Sequence, residues 1–210
     1  MRRLRELDGA AGRTTYAGGA AIIEHGGERW TARPPFGLEH EGTYERVEAG
    51  PLLAALEADH RVAALLVRLG GYAVGVFDGE QLVASKVGSR LVHGRHRAGG
   101  SSANRFRRRR EKEVRELHEA AAREAWRVLG PWLERVERAA LGGDRAAVRG
   151  TLEAEPRLER LEAIALPRFF TVPDPRRDVL ERLPFDVYAA ELEVEPLDAE
   201  GGYPRAAPPP

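Results

Sequence analysis

Between positions 90 and 114 the chain reads RLVHGRHRAGGSSANRFRRRREKEV. Gly99 and Gly100 stand between a basic approach, with His93, Arg95, His96 and Arg97, and five arginines in the six positions 105–110. Two adjacent glycines let the backbone take positive φ and approach another molecule with no Cβ in the way. Arginine forks and the free N–H groups at a helix start both meet phosphate oxygens. A glycine tip leading into an arginine-rich helix start is therefore suited to insertion into a phosphate-lined cavity. Ser101, Ser102 and Asn104 add hydroxyl and amide groups beside the tip. On spacing alone, a strand-to-helix turn is the commoner reason for such a glycine pair. A solvated helix face does not account for the arginines. Six consecutive positions sweep all round a helix, so some must face the buried stripe unless this end stands clear of the body.

Other chemistry is thinner. His93 and His96 form an H-x-x-H without a third ligand nearby, so they read as phosphate or RNA contacts and no metal is expected. The chain has no cysteine, which excludes disulfides, thiol catalysis and cysteine-ligated zinc. No P-loop, G-x-S-x-G, H-E-x-x-H or dinucleotide fingerprint occurs, and no cofactor is expected. Asp78-Gly79 reads as a turn and Asp144 as a helix cap. Trp30, Trp126 and Trp132 read as packing residues, and His25, His40, His60 and His118 as surface residues.

The 210 residues carry 33 basic and 33 acidic side chains, so net charge is zero. The average hides a local patch: from 86 to 112 there are ten Lys or Arg against Glu111 alone. Such a patch on a neutral chain points to a polyanion bound at one place. Only Lys86 and Lys112 are lysine, and this arginine bias has the look of GC-rich coding, so clustering rather than abundance is informative. With 42% hydrophobic and 31% charged residues, a soluble globular protein is expected. No apolar run approaches the membrane-spanning length, and the N-terminus lacks a signal peptide's apolar stretch. A cytoplasmic location follows as the simplest reading.

The elements that must position the tip can be read from pattern. Residues 20–33 predict a hairpin turning at Gly26-Gly27, and GPLLAALEADH a short helix with Pro51 at its start. RVAALLVRL, YAVGVFDG and EQLVASKVG predict a three-stranded meander, broken at Gly70-Gly71 and Asp78-Gly79. Residues 102–129 predict one long helix, capped by Ser101 or Ser102 and packed through Phe106, Val114, Leu117, Ala121, Ala125 and Val128. Glu111 with Arg115, and Glu119 with Arg123, have favourable i,i+4 orientation. Gly130-Pro131 ends or kinks that helix. DRAAVRGTLEAEPRLERLEAI predicts one or two more helices, RFFTV a short strand, DPRRDVLERL a helix and VYAAELEVE a last strand. The order suggests an α/β fold, a mixed sheet with packed helices. The expected divisions are an N-terminal elaboration over 1–60, a main domain over 61–193 and a disordered Pro/Gly-rich tail over 194–210.

The motif segment resembles the middle domain of eukaryotic and archaeal class I peptide-chain release factors, whose pattern is of the type K-K-H-G-R-G-G-Q-S-x-x-R-F-x-R-x-R. Here HGRHRAGGSSANRFRRRRE keeps the basic approach, Gly99-Gly100, Ser102, Arg105-Phe106, Arg108 and Arg110. The chain looks closer still to the Vms-like release factors, in their compact bacterial branch. KVGSRLVHGRHRAGGSS, GGDRAAVRGTL and FFTVPDPRRDVLERL carry that likeness, which covers about residues 60–190. The glutamine that follows Gly-Gly in release factors is Ser101 here, and no glutamine occurs from 90 to 114.

The resemblance implies an RNase H-like release-factor middle-domain architecture, and through that likeness it raises Asp78, Glu80 and Asp144 as a nuclease carboxylate set, against which stand the turn and helix-cap readings. It also implies a ribosome-associated peptidyl-tRNA hydrolase acting on stalled large subunits, in ribosome rescue and quality control. Gly99, Gly100, Ser101, Ser102 and Asn104 would be its catalytic tip. Arg95, His96, Arg97, Arg105, Arg107, Arg108 and Arg109 would be its contacts to rRNA and tRNA. The implied partners are the large ribosomal subunit and peptidyl-tRNA, with the protein acting as a monomer without cofactor. A non-catalytic factor occupying the same site, and cleavage of the tRNA acceptor end, remain alternatives. The chain has no room for a further stop-codon-reading domain and a third domain, so codon-dependent termination is not expected.

Overall fold

The computed structural model describes residues 1–90 and 102–197. In chain order the elements are α1 (Arg2–Leu7), β1 (Arg13–Ala17), β2 (Ala20–His25), β3 (Glu28–Arg33), β4 (Gly42–Tyr44), α2 (Gly50–Glu57), β5 (Arg61–Arg68), β6 (Gly71–Asp78) and β7 (Gln81–Ser89). They continue with α3 (Ser102–Leu129), β8 (Arg138–Gly143), α4 (Arg145–Ala154), α5 (Arg160–Ala163), α6 (Arg177–Val187) and β9 (Glu191–Pro196). The chain forms two compact units, Met1–Ala58 together with the chain from Tyr188, and Asp59–Val187.

The first unit is an antiparallel sheet of order β4-β1-β2-β3-β9. The β2–β3 hairpin turns through Gly26 at φ 61 and Gly27 at φ 81, both in the left-handed region that a two-residue turn matching strand twist requires. Tyr16, Ala21, Ile23 and Ala32 are buried on one face with Leu38, Val47 and Leu52. The Tyr16 hydroxyl donates to the Glu48 carbonyl (2.6 Å) and accepts from the Leu52 N–H (3.4 Å), which ties the start of α2 to the sheet. Its burial pushes the phenol up to about 12.

This unit is richer than one hairpin and one helix, because α1, β1 and β4 join it. The last strand also returns to it: β9 pairs with β3, from Arg33↔Glu191 to Glu28↔Pro196. Residues 191–193 were expected in the main domain and 194–196 in a disordered tail, but all six lie in this sheet. A period of two identifies a strand but not the neighbour it pairs with. The rest of the tail expectation, residues 198–210, lies outside the described residues.

The second unit is the mixed sheet expected, of order β7-β6-β5-β8. β5, β6 and β7 form the antiparallel meander, and β8 runs parallel to β5 after the crossover through α3. This is the RNase H-like arrangement. β5 and β6 are buried along six consecutive positions each, as strands covered on both faces must be. RFFTV is not a strand. Phe170 makes an isolated parallel bridge to Gly142, and Ala165 one to Ala139. Pro167 and Pro173 flank it and cannot donate to a ladder.

α3 packs on β6 and β7. Leu117, Ala121, Ala125 and Leu129 are fully buried and continue at helical spacing. Phe106, expected in that stripe, is 52% exposed. A helix of 28 residues runs about 42 Å, whereas a strand of 9 residues spans about 30 Å. The sheet therefore ends before the helix does. α3 stops at Leu129, and Gly130–Trp132 form a 3-10 turn.

His118 is not the surface residue expected. It is half-buried where α3 meets α4, its Nε2 is shielded and has no hydrogen-bond partner among the described residues, and a Cβ at Gly150 would collide with its ring. Burial lowers its pKa, opposed by the charges of Asp144 and Glu153. A histidine depressed in the folded state favours folding above its unfolded value of about 6.5, and that contribution is lost as pH falls below it. Urea unfolding from pH 7.5 to 5 should therefore show stability declining on acidification, and His118→Leu should flatten part of that decline. An unchanged slope in the variant would remove His118 from the account.

Candidate nucleic-acid interface at the start of the long helix

The segment 91–101 leaves one anchored element and enters another. At its near end, the Arg90 N–H donates to the Gly70 carbonyl (3.0 Å) and the Arg90 guanidinium donates to Glu116 of α3 (3.0 Å). Lys112 lies 3.8 Å from the same carboxylate. At its far end the chain enters α3 at Ser102. A cleft of about 470 Å³ lies beside this root, lined by Gly70, Gly71, Gly88, Ser89, Pro175 and Arg176 among others. Gly99, Gly100 and Ser101, with His93, Arg95, His96 and Arg97, fall outside the described residues.

The helix start presents its side chains in every direction. Asn104, Arg105, Phe106, Arg107, Arg108 and Arg109 are all exposed, and burial begins only partly at Arg110. Six consecutive exposed positions cover the whole circumference, so Arg105, Arg107, Arg108 and Arg109 enter no core, and only Arg110 begins to be covered, with its Nε shielded. The first turn carries no acid, and a helix N-terminus carries partial positive charge that favours anions.

Neutralisation within the patch is uneven. Arg109 donates to Glu113 (3.0 Å), and Arg107 lies 3.8 Å from Glu111. Glu111 thus pairs backward along the helix, with Arg107, where a forward pair with Arg115 was expected. Among the described residues no carboxylate pairs with Arg105 or Arg108. These two are three positions apart and share one side of α3, so the uncompensated charge has a direction. Phe106 lies on another side of the helix, about 160° round from Arg108, and is 52% exposed. The signal in the sequence against reading it as core was its place inside the arginine run.

The carboxylates considered as a nuclease set have structural work. Asp78 binds Arg61 (2.7 Å). Asp144 caps α4 by accepting from the Ala146 and Ala147 N–H groups (2.8 and 3.3 Å). Glu80 is exposed. Among the described residues no group of three or more His, Asp or Glu side chains is placed to hold a metal ion. Trp126 and Trp132 pack against the second unit's core, beneath Arg157 and Arg135 respectively (4.1 and 4.9 Å to the ring centroids).

The model of the Actinobacteria/chloroflexi VLRF1 release factor family matches residues 60–193, which spans the mixed sheet, α3 and the segment between them. The chain belongs to this release-factor family. Among solved structures, an archaeal translation termination factor, aRF1, is similar at 15% identity, with 76% of this chain and 50% of that chain covered and a TM-score of 0.45. A structure described as an archaeal protein is similar at 15% identity, with 80% and 48% covered and a TM-score of 0.40. The chain spans about half the length of these two structures. No curated protein matches. Family membership gives the chain a release-factor-like role in translation. Among the described residues no helix is long and apolar enough to cross a membrane.

Proposed function

We propose that this release-factor-family chain acts on stalled large ribosomal subunits. It inserts the Gly99-Gly100 tip into the peptidyl-transferase centre and promotes hydrolysis of the peptidyl-tRNA ester. The observation that carries this reading is the start of α3, exposed on all sides over positions 104–109 and carrying Arg105 and Arg108, with which no carboxylate among the described residues pairs, shortly after the glycine pair in sequence. A helix end that meets no core of its own and repels cations is suited to a channel walled by phosphate. The family match supports the same role.

The chemistry asks little of side chains. Water attacks the ester carbonyl carbon, the bond to the ribose 3′ oxygen breaks, and the water's proton passes to that oxygen through groups of the ribosome and the terminal ribose. The factor positions the water and offers N–H groups to the developing oxyanion. The backbone N–H groups of Gly100 and Ser101 are the donors in this reading, with Ser101, Ser102 or Asn104 holding the water. Arg95, His96, Arg97, Arg105, Arg107, Arg108 and Arg109 contact rRNA and the tRNA acceptor stem, and the protein works in the cytoplasm as a monomer.

Ser101 in the place of the release-factor glutamine favours a second reading, a factor that occupies the same site without catalysis. The test is to add the protein to large subunits carrying peptidyl-tRNA and resolve both products. Free peptide with intact tRNA supports ester hydrolysis. A shortened tRNA shows cleavage of the acceptor end instead. Tight binding with neither product supports the non-catalytic factor.

A further inference from the structure

The last strand of the first sheet leaves an edge that fits a particular kind of partner. β9 lies at the end of the sheet order, and all six of its residues are exposed. The Leu197 N–H donates to the Gly27 carbonyl (2.8 Å), so the main-chain groups of Glu195, Glu193 and Glu191 also point toward β3. Those of Leu192 and Val194, and the carbonyl of Pro196, point away from it, to the open edge. Pro196 sits where an edge strand tolerates proline, because its missing donor faces outward.

The two faces of β9 differ in kind. Glu191, Glu193 and Glu195 line one face. Arg33 lies 3.4 Å from Glu193; β3 sets Arg33 and Arg29 across from Glu191 and Glu195, Arg29 is paired with Glu24 (2.7 Å), and among the described residues no ion pair forms at Glu191 or Glu195. On the other face, Leu192 and Val194 remain 59% and 52% exposed. They border an apolar cavity of about 400 Å³ lined also by Leu4, Trp30 and Leu56, with Arg3 stacked over Trp30 at 4.9 Å. Acidic residues and proline are common devices that keep an edge from pairing with other chains. They account for the glutamate face but not for two half-exposed aliphatic side chains beside an apolar cavity.

We propose that β9 accepts an additional strand from a partner protein, an extended segment alternating basic and apolar residues. Its basic side chains meet Glu191, Glu193 and Glu195, its apolar side chains cover Leu192 and Val194 and enter the cavity, and its backbone bonds to Leu192 and Val194. A second copy of the chain is disfavoured, because antiparallel pairing of β9 with itself sets glutamate against glutamate, which is destabilising. The chain's own segment after Leu197 reads DAEGGYPRAAPPP, with a single basic residue and four prolines, which donate no backbone N–H.

Binding of a labelled Lys-Val-Lys-Ile-Lys-Val peptide to the full chain tests this by fluorescence anisotropy. Binding should be saturable. It should weaken at least about tenfold in Val194→Pro, which removes an outward N–H without touching the β3 ladder, and similarly when alternate peptide amides are methylated, a change that leaves the protein intact. Replacing Glu191, Glu193 and Glu195 with lysine should abolish it and create affinity for a Glu-Val-Glu-Ile-Glu-Val peptide. Absence of saturable binding, equal binding of the methylated peptide, or equal binding to the triple variant would overturn the proposal. So would a tenfold gain on deleting residues 198–210, which would make that segment the occupant, or dimerisation of the free chain that Val194→Pro removes.

Discussion

Gly100→Ala should reduce peptide release at least about a hundredfold, the scale of losing one oxyanion donor, while affinity for large subunits stays nearly unchanged. The effect is steric before it is electronic. The proposed tip works by bringing backbone N–H groups against an ester already held by the ribosome, and a Cβ at its apex both occupies that space and disfavours positive φ. Ser101→Ala keeps its N–H and should cost much less than Gly100→Ala. If Asn104 holds the water, Asn104→Ala should cost about 10–100-fold. Because Asn104 is exposed in α3, removing its side chain leaves no cavity, and a loss of rate can be read as chemistry rather than folding. Single-turnover release with each variant at saturating factor separates these effects from binding. If Gly100→Ala released peptide as fast as wild type, the tip would be misassigned even for an active enzyme.

The second large effect is on binding. Replacing both Arg105 and Arg108 with glutamate should weaken affinity for large subunits by roughly a hundredfold at physiological salt, and lower the slope of log affinity against log salt by about 2. These two arginines have no carboxylate partner among the described residues, so their full charge is available to phosphate. The paired change at Arg107 and Arg109 should cost less. Glu111 and Glu113 already neutralise part of their charge, and releasing those acids adds repulsion only locally. Exposed ion pairs of this kind contribute about 1 kcal/mol or less, so neither double variant should unfold the protein. Equilibrium binding across 50–300 mM salt reads both quantities. Equal losses from the two pairs would show that the direction of the uncompensated charge does not matter.

What could be read from the sequence follows the range of each signal. The meander, the Gly26-Gly27 hairpin, the Pro51 helix start and the Asp144 cap are set by neighbours a few residues apart, and local pattern reveals them. The partner of β9 is set by a chain segment some 160 positions away, and alternation cannot name it. Phe106 shows a different limit. It is eleven residues from Leu117, about three turns, so the two point in nearly the same direction. Helical spacing placed both in the stripe, and only the shorter reach of the sheet separates a buried leucine from an exposed phenylalanine. Yet the arginine run contained the correction. Positions 105–110 cannot all avoid a core unless the helix start leaves it, and a Phe among them must leave with them. His118 was missed because its burial depends on Gly150 of another helix making room.

The most direct measurement of the central claim is peptide release by the wild-type chain. Large subunits carrying a labelled peptidyl-tRNA are mixed with saturating factor and both products are followed in time. The account predicts free peptide and intact deacylated tRNA accumulating together, at a rate far above that of subunits alone. Saturated binding with no peptide released would contradict it.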